Sequence, residues 1–355
     1  MRIWTMLLVM RLFSRWYILA FALLAALTRI IFPSIPKTIP VIFLAVWLAF
    51  AIIPATILYF RLPLEGGHHG NMMNGNNFNN EEVNQVLETF AEKTKQPAVK
   101  LKPVRRETTV YDSKFGGTPY LPPGFSYPCD TYPGKGRPLV LLAQLNFAEL
   151  PRLEGFPEHG ILQFYCSDDD EFGANYGVVK EQSGFKVVYH EDIITDEKLL
   201  GSLPVGAVPS GSSFPFKGEF ALEASIEDSV PFSGDYRFKE ILSRFIQDNP
   251  SYAIIRDLED FVEEFVNERA TGSRIGGYPH FCQWDPRTRS AEEGYTILLL
   301  QIDSEGWRED GWWKDKEKSM NVILWGDAGV ANFFITPEDL ARLDFSRLIF
   351  SWDCS

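Results

Sequence analysis

The chain has 355 residues, 45% of them hydrophobic and 14% aromatic, enough apolar material for a substantial core rather than a disordered chain. Its formal charge of −13 is uneven. The first 65 residues hold Arg2, Arg11, Arg15, Arg29, Lys37 and Arg61 against Glu65 alone, which leaves 28 basic and 46 acidic side chains, a net −18, on the rest. A surface that acidic repels phosphates and anionic headgroups, so a general nucleic-acid-binding role is excluded and a basic protein or peptide is the more suitable partner.

At the N-terminus, WYILAFALLAALTRIIF (16–32) and VIFLAVWLAFAIIPATILYF (41–60) are apolar, the second without a charge over 20 residues. A helix of ~20 residues crosses the hydrocarbon core, so residues 1–61 are expected to form a membrane anchor of two transmembrane helices in contact with the lipid bilayer. Arg2, Arg11, Arg15 and Arg61 outnumber Arg29 and Lys37, and this bias places both termini, with the large domain, in the cytosol. Cys129, Cys166, Cys282 and Cys354 are scattered without a C-x-x-C pair and read as reduced thiols. Residues 62–80 are rich in Gly and Asn and read as a flexible linker; His68 and His69 within it lack further metal ligands nearby.

Residues 81–355 are expected to form the folded domain. EEVNQVLETFAEKTKQ (81–96) spaces Val83, Val86, Leu87, Phe90 and Ala91 for one helical face, with acids at its start and lysine near its end. Short strands are expected in AVKLKPV, GRPLVLLAQLNF, GILQFYCS, FKVVYHEDI, YTILLLQID, NVILWGD and VANFFI, and helices over 236–247 and 254–269. That mixture predicts an α+β class.

One phrase occurs twice. SKFGGTPYLPPG begins at residue 113 and SRIGGYPHFCQWDP at residue 273. LLAQLN (141–146) then matches LLLQID (298–303), and GILQFY (160–165) matches GVANFF (329–334). The ordered matches predict an internally duplicated domain with a mixed sheet and pseudo-twofold halves meeting in one core. Gly116, Gly117, Gly276 and Gly277 suit positive φ, and Pro119 and Pro279 extend the residues before them, so each phrase reads as a tight turn. Such glycine amides can also cradle an anion, although no phosphate-loop motif is present. Period-two alternation puts Gln144 with Leu142 and Asn146 on one face, and Gln301 with Leu299 and Asp303. A buried, unpaired amide costs roughly 1–3 kcal/mol, so both glutamines must bond either the neighbouring turn or a ligand.

These motifs, with RIGGYPHFCQWDPR, WGDAGVANFFITPEDL and the terminal WDC, resemble the YwqG-like family, a domain of unknown function, over about residues 80–355. The resemblance implies an α+β fold and no reaction.

Catalytic motifs are sparse. No metal-binding histidine pair or G-x-S-x-G elbow occurs, and SDDDEFG (167–173) lacks the ligand pattern of a calcium loop. No metal or cofactor is therefore expected. The ligand-binding candidates are Gln144 and Gln301, together with Gln283, Asp285, Arg287, Asp303, Asp327 and Asn332, which either line a polar cleft where the halves meet or form an arginine-anchored turn network between them. The expected role is a non-catalytic binding or interaction domain. The alternative is a hydrolase using Asp285 and Asp327 as general acid and base.

Overall fold

A computed structural model describes residues 80–132, 136–177, 180–210, 214–288, 292, 294–305 and 323–354, all within a compact unit running Phe78–Ser355. The apolar stretches 16–32 and 41–60, the linker 62–79 and the charged segment 306–322 lie outside the described residues. Among the described residues no helix is long and apolar enough to cross a membrane.

Ten strands form one sheet: β1 (Gln96–Val104), β2 (Lys114–Gly116), β3 (Val140–Asn146), β4 (Ile161–Cys166), β5 (Phe185–His190), β6 (Glu219–Ser229), β7 (Arg274–Gly276), β8 (Ile297–Asp303), β9 (Val330–Ile335) and β10 (Ile349–Asp353). Their order is β10-β9-β8-β7-β1-β6-β2-β3-β4-β5. Every pair is antiparallel. The expected class is thereby corrected. In place of an α+β mixed sheet, the described chain is a near-closed, barrel-like antiparallel sheet with few helices, in which β7 to β10 repeat the order of β2 to β5 about the central pair β1 and β6. The two expected transmembrane helices lie outside the described residues. Local sequence announces strands but not their direction, which long-range pairing decides.

The sheet curls because both sets of inner side chains bury against each other. Phe164 of β4 meets Phe333 of β9 at 5.0 Å between ring centres, and Phe185 of edge strand β5 meets Phe350 of edge strand β10 at 5.2 Å. Phe333 and Phe350 stack at 4.4 Å. Side chains bridge the two edges instead of a strand ladder: Trp352 Nε1 donates to the Glu171 carbonyl and Gln182 Nε2 to that of Ser346. Near-closure leaves little exposed backbone on which another chain can template.

Three helices pack separately: α1 (Asn80–Thr94), α2 (Phe238–Asp248) and α3 (Glu259–Asn267). Val83, Val86, Leu87, Phe90 and Ala91 of α1 form a cluster with Phe238 and Phe245 of α2 and Val262 and Val266 of α3. The expected helix over 254–269 is divided: residues Pro250–Leu258 are 3₁₀, and α3 begins only at Glu259. A short α4 (Pro337–Ala341) follows β9, capped by the Thr336 side chain. Among the described residues of the expected strand NVILWGD, only Ile323 pairs, in an isolated bridge to Glu305.

One feature of the sheet positions the site. The registers of β3 on β4 and of β8 on β9 slip at the same place, between Leu141 and Ala143 and between Leu298 and Leu300. A bulge inserts a residue and resets the alternation. Leu142 and Leu299 therefore join the core together with Ala143 and Leu300, and the face expected from strict alternation is corrected. Past the bulge, Gln144 and Gln301 meet the segments that carry the doubled phrase.

Candidate functional site

The doubled phrase builds two similar arrangements, termed here the first and second half-sites. In the first, Gln144 Oε1 accepts from the Tyr120 N–H (2.8 Å), and its Nε2 donates to the carbonyls of Val110 (2.9 Å) and Asp112 (3.0 Å). In the second, Gln301 Oε1 accepts from the His280 N–H (2.7 Å), and its Nε2 donates to the carbonyls of Ala270 (3.4 Å) and Gly272 (2.7 Å). The amides thus hold the chain just before and just after each glycine turn, rather than the glycine N–H groups. Gly116, Gly117, Gly276 and Gly277 all have φ between 66° and 74°, and Pro119 and Pro279 are buried beyond them. Ser113 Oγ accepts from the Asn146 N–H, and Ser273 Oγ from the Asp303 N–H.

The lining differs. In the first half-site Gln163 Nε2 donates to the Tyr120 carbonyl (2.7 Å) and to Gln144 Oε1 (2.9 Å). Its Oε1 accepts the Tyr165 hydroxyl (2.8 Å) and lies 2.9 Å from His190 Nε2, which must carry the proton to face an acceptor. Every polar atom of Gln163 is engaged. In the second half-site Asn332 Nδ2 donates to the His280 carbonyl (2.8 Å). Asn332 is 1% exposed, yet among the described residues its Oδ1 has no hydrogen-bond partner, and neither has His280 Nδ1. The reason is legible in the register. Gln163 pairs with Gln144 as Asn332 pairs with Gln301. Phe334 then stands where Tyr165 stands, and Asp353 of β10 stands where His190 of β5 stands.

Asp353 does not replace the missing donor. Its Oδ1 accepts the Cys282 N–H and its Oδ2 those of Gln283 and Trp284. Asp303 Oδ2 accepts from Gly272 N–H (2.6 Å) and lies 4.0 Å from His280 Nδ1. Burial raises the Asp303 carboxyl above its ordinary range, against the pull of the Gly272 and Ser304 N–H groups. Burial takes His280 down to about 4, so at neutral pH it is an uncharged imidazole. Cys282 is pushed up to about 12 by burial first and then by Asp353 and Asp303, which makes it a thiol rather than a nucleophile.

The other sequence candidates fall outside this cluster. Asp285 is 2% exposed, and Arg287 binds it through Nε (2.9 Å) and Nη2 (2.8 Å) while also reaching Asp235 (3.2 Å). Arg237 grips Asp235 from the other side (2.9 and 2.6 Å). Burial opposes ionisation of Asp235, but the Arg237 hydrogen bonds and the Arg287 charge hold it below the usual carboxylate range. The Arg287 guanidinium lies 4.2 Å over the Phe334 ring. This is a sealed ion network. Asp327 is exposed on the turn before β9, and Gln283 is exposed beside Asp353.

Sequence reasoning thus found Gln301, Asp303 and Asn332 of this half-site but missed His280 and Asp353, and in the ion network it missed Asp235. His280 stands inside the doubled phrase, where Tyr120 stands in the first copy, and that substitution was the available signal. Among the described residues no three His, Cys, Asp or Glu side chains are placed to hold a metal. A shallow cleft of about 670 Å³ lies beside Arg237 and Tyr278. Three of its cations are already paired: Lys95 with Glu92 and Asp228, Arg237 with Asp235, and Arg244 with Glu240.

A family model for DUF1963, a domain of unknown function, matches residues 113–354. The chain belongs to the DUF1963 family. The match spans both glycine phrases and all strands from β2 to β10, and it agrees with the YwqG-like resemblance. No curated protein matches the chain.

Proposed function

We propose that the DUF1963 domain of this chain is a non-catalytic binding module whose ligand site is the second half-site. One observation carries the reading. Two half-sites share a hydrogen-bond frame; among the described residues the first leaves no buried side-chain N or O atom unpaired, and the second leaves Asn332 Oδ1 and His280 Nδ1 without partners. Buried polar groups in folded proteins are almost always paired, so an unmatched pair within a repeated frame points to a group from outside the chain.

The hydrolase reading has less support. Asp285 is locked on Arg287 and cannot approach a substrate without breaking a buried ion pair. The uncharged His280 and protonated Cys282 do not form an activated nucleophile. The net charge of −18 beyond residue 65 favours a basic protein or peptide among the partners. We further propose that the chain resides in the cell membrane through residues 16–60, with the large domain on the cytosolic side.

A thermal-shift screen of the full chain against metabolites, metals and basic peptides tests the binding role. A ligand whose stabilisation disappears in Asn332→Leu supports it; a reproducible turnover lost in both Asp285→Asn and Asp327→Asn overturns it. For location, a reporter fused after Ser355 is expected to be active only in a cytosolic format.

A further inference from the structure

The first half-site contains a template for what the second one binds. Gln163 Oε1 receives two donors, the Tyr165 hydroxyl and the His190 ring N–H. A phenol and an azole carried by the protein itself thus fill the position. In the second half-site Phe334 lacks the hydroxyl, and Asp353 turns its carboxylate to three backbone N–H groups. Both donors are lost together. Asn332 is also one methylene shorter than Gln163, which withdraws its carbonyl by about one carbon–carbon bond, ~1.5 Å, and enlarges the space before it.

The surroundings narrow the chemistry. Phe232 meets the His280 ring edge-on at 5.0 Å, and Phe281 lies 6.1 Å from Phe334, so the neighbours of the half-site are aromatic, which favours a flat partner. An anion would meet the carboxylates of Asp303 and Asp353, and a cation would find both already engaged by backbone N–H groups. Of the two groups with an unmatched atom, Asn332 is buried and His280, whose side chain is 17% exposed, reaches solvent and offers the entry.

We propose that the second half-site takes a planar, uncharged hydrogen-bond donor, of the phenol, azole or carboxamide kind, that docks on Asn332 Oδ1 and stands where Tyr165 and His190 stand in the first. The proposal rests on the reading of this half-site as the ligand site, and the test separates the two.

The full chain is titrated with phenol, imidazole and acetamide, with anisole as a ring of similar size that cannot donate, and thermal unfolding is followed. A donor fragment is expected to raise the melting temperature with a half-maximal effect in the millimolar range, as suits so small a ligand, while anisole does not. Phe334→Tyr, which supplies the missing hydroxyl, is expected to unfold no earlier than the wild type and to lose the response. Asn332→Leu is expected to lose it as well, and Gln163→Leu to keep it.

An equal response to anisole, or no response of the wild-type chain to any donor, overturns the proposed ligand class. If a ligand from the wider screen still depends on Asn332, the binding reading survives that failure. A donor response that persists in both Asn332→Leu and Phe334→Tyr overturns the site itself.

Discussion

Fourteen residues past the repeated serine, the first arm of the sheet carries Tyr127 and the second carries Arg287; two residues earlier they carry Phe125 and Asp285. Tyr127 packs edge-on against Tyr165 at 5.4 Å and donates its hydroxyl to the Leu139 carbonyl (3.0 Å). Arg287 instead lies over Phe334 and ties Asp285 to Asp235. The same frame is thus filled by aromatic packing on one side and by a buried ion network on the other. Where the two copies agree, at Ser113 and Ser273, the glycine pairs, Gln144 and Gln301, the residues hold the frame. Where they part, at Tyr120 and His280, Tyr165 and Phe334, His190 and Asp353, the arms have different work. Likeness within the repeat marks the shared frame, and departure marks where the proposed ligand site differs from its counterpart.

The largest effect is expected from breaking the ion network. Arg287→Met leaves two buried carboxylates short of a partner and should cost about 3–5 kcal/mol in chemical denaturation. Tyr127→Phe, the corresponding change in the first arm, removes one hydrogen bond and should cost only about 1 kcal/mol. Equal losses would break the comparison.

The shared frame is probed by Gln144→Leu and Gln301→Leu. Each strands one backbone N–H and two carbonyls, so each should destabilise by about 1–3 kcal/mol, and by similar amounts. A variant that unfolds like the wild type but no longer binds ligand would mean that its glutamine faces a ligand rather than the chain.

Acidification sharpens the contrast. Burial takes both His190 and His280 to about 4, against an ordinary value of about 6.5. Between these limits the unfolded chain takes up protons that the folded chain refuses. Their contribution is therefore fully present above about pH 6.5 and is lost as pH falls toward 4. Asp303 and Glu305, whose carboxyls burial raises, act in the opposite sense and only in the second arm. Melting temperatures measured from pH 7 to pH 4 should fall, and fall less steeply in His190→Asn, which removes the histidine of the arm without that compensation. The smallest change is expected from Asp327→Asn: an exposed turn residue should shift stability by no more than about 0.5 kcal/mol in either direction.

Much of the frame was legible in the sequence. The spacing of Val83, Val86, Leu87 and Phe90 marked α1, and the matched order of glycines, glutamines and aromatics marked the two arms. Strand direction was not legible, because whether neighbours run parallel depends on connections far along the chain. The bulges at Leu142 and Leu299 leave no local signal in a run of leucines, so strict alternation assigned those residues to the wrong face. Central strand β6 and edge strand β10 were missed because polar residues interrupt the first and the second is only five residues long. Within the site, Gln301, Asp303 and Asn332 followed from the repeat. His280 and Asp353 are joined only by the pairing of β9 with β10 and by the return of the segment after the glycine turn, which no motif spells out.

The central claim is that the first half-site is structural and the second is kept open for a ligand. Its most direct test is the difference in unfolding free energy between Gln163→Leu and Asn332→Leu, measured on the full chain without ligand. Gln163 engages Tyr120, Gln144, Tyr165 and His190, whereas among the described residues the Asn332 side chain makes one hydrogen bond and carries an unmatched oxygen whose removal relieves a cost. Gln163→Leu should therefore destabilise more than Asn332→Leu, by on the order of 1–3 kcal/mol. Equal losses, or a larger loss from Asn332→Leu, would contradict the account.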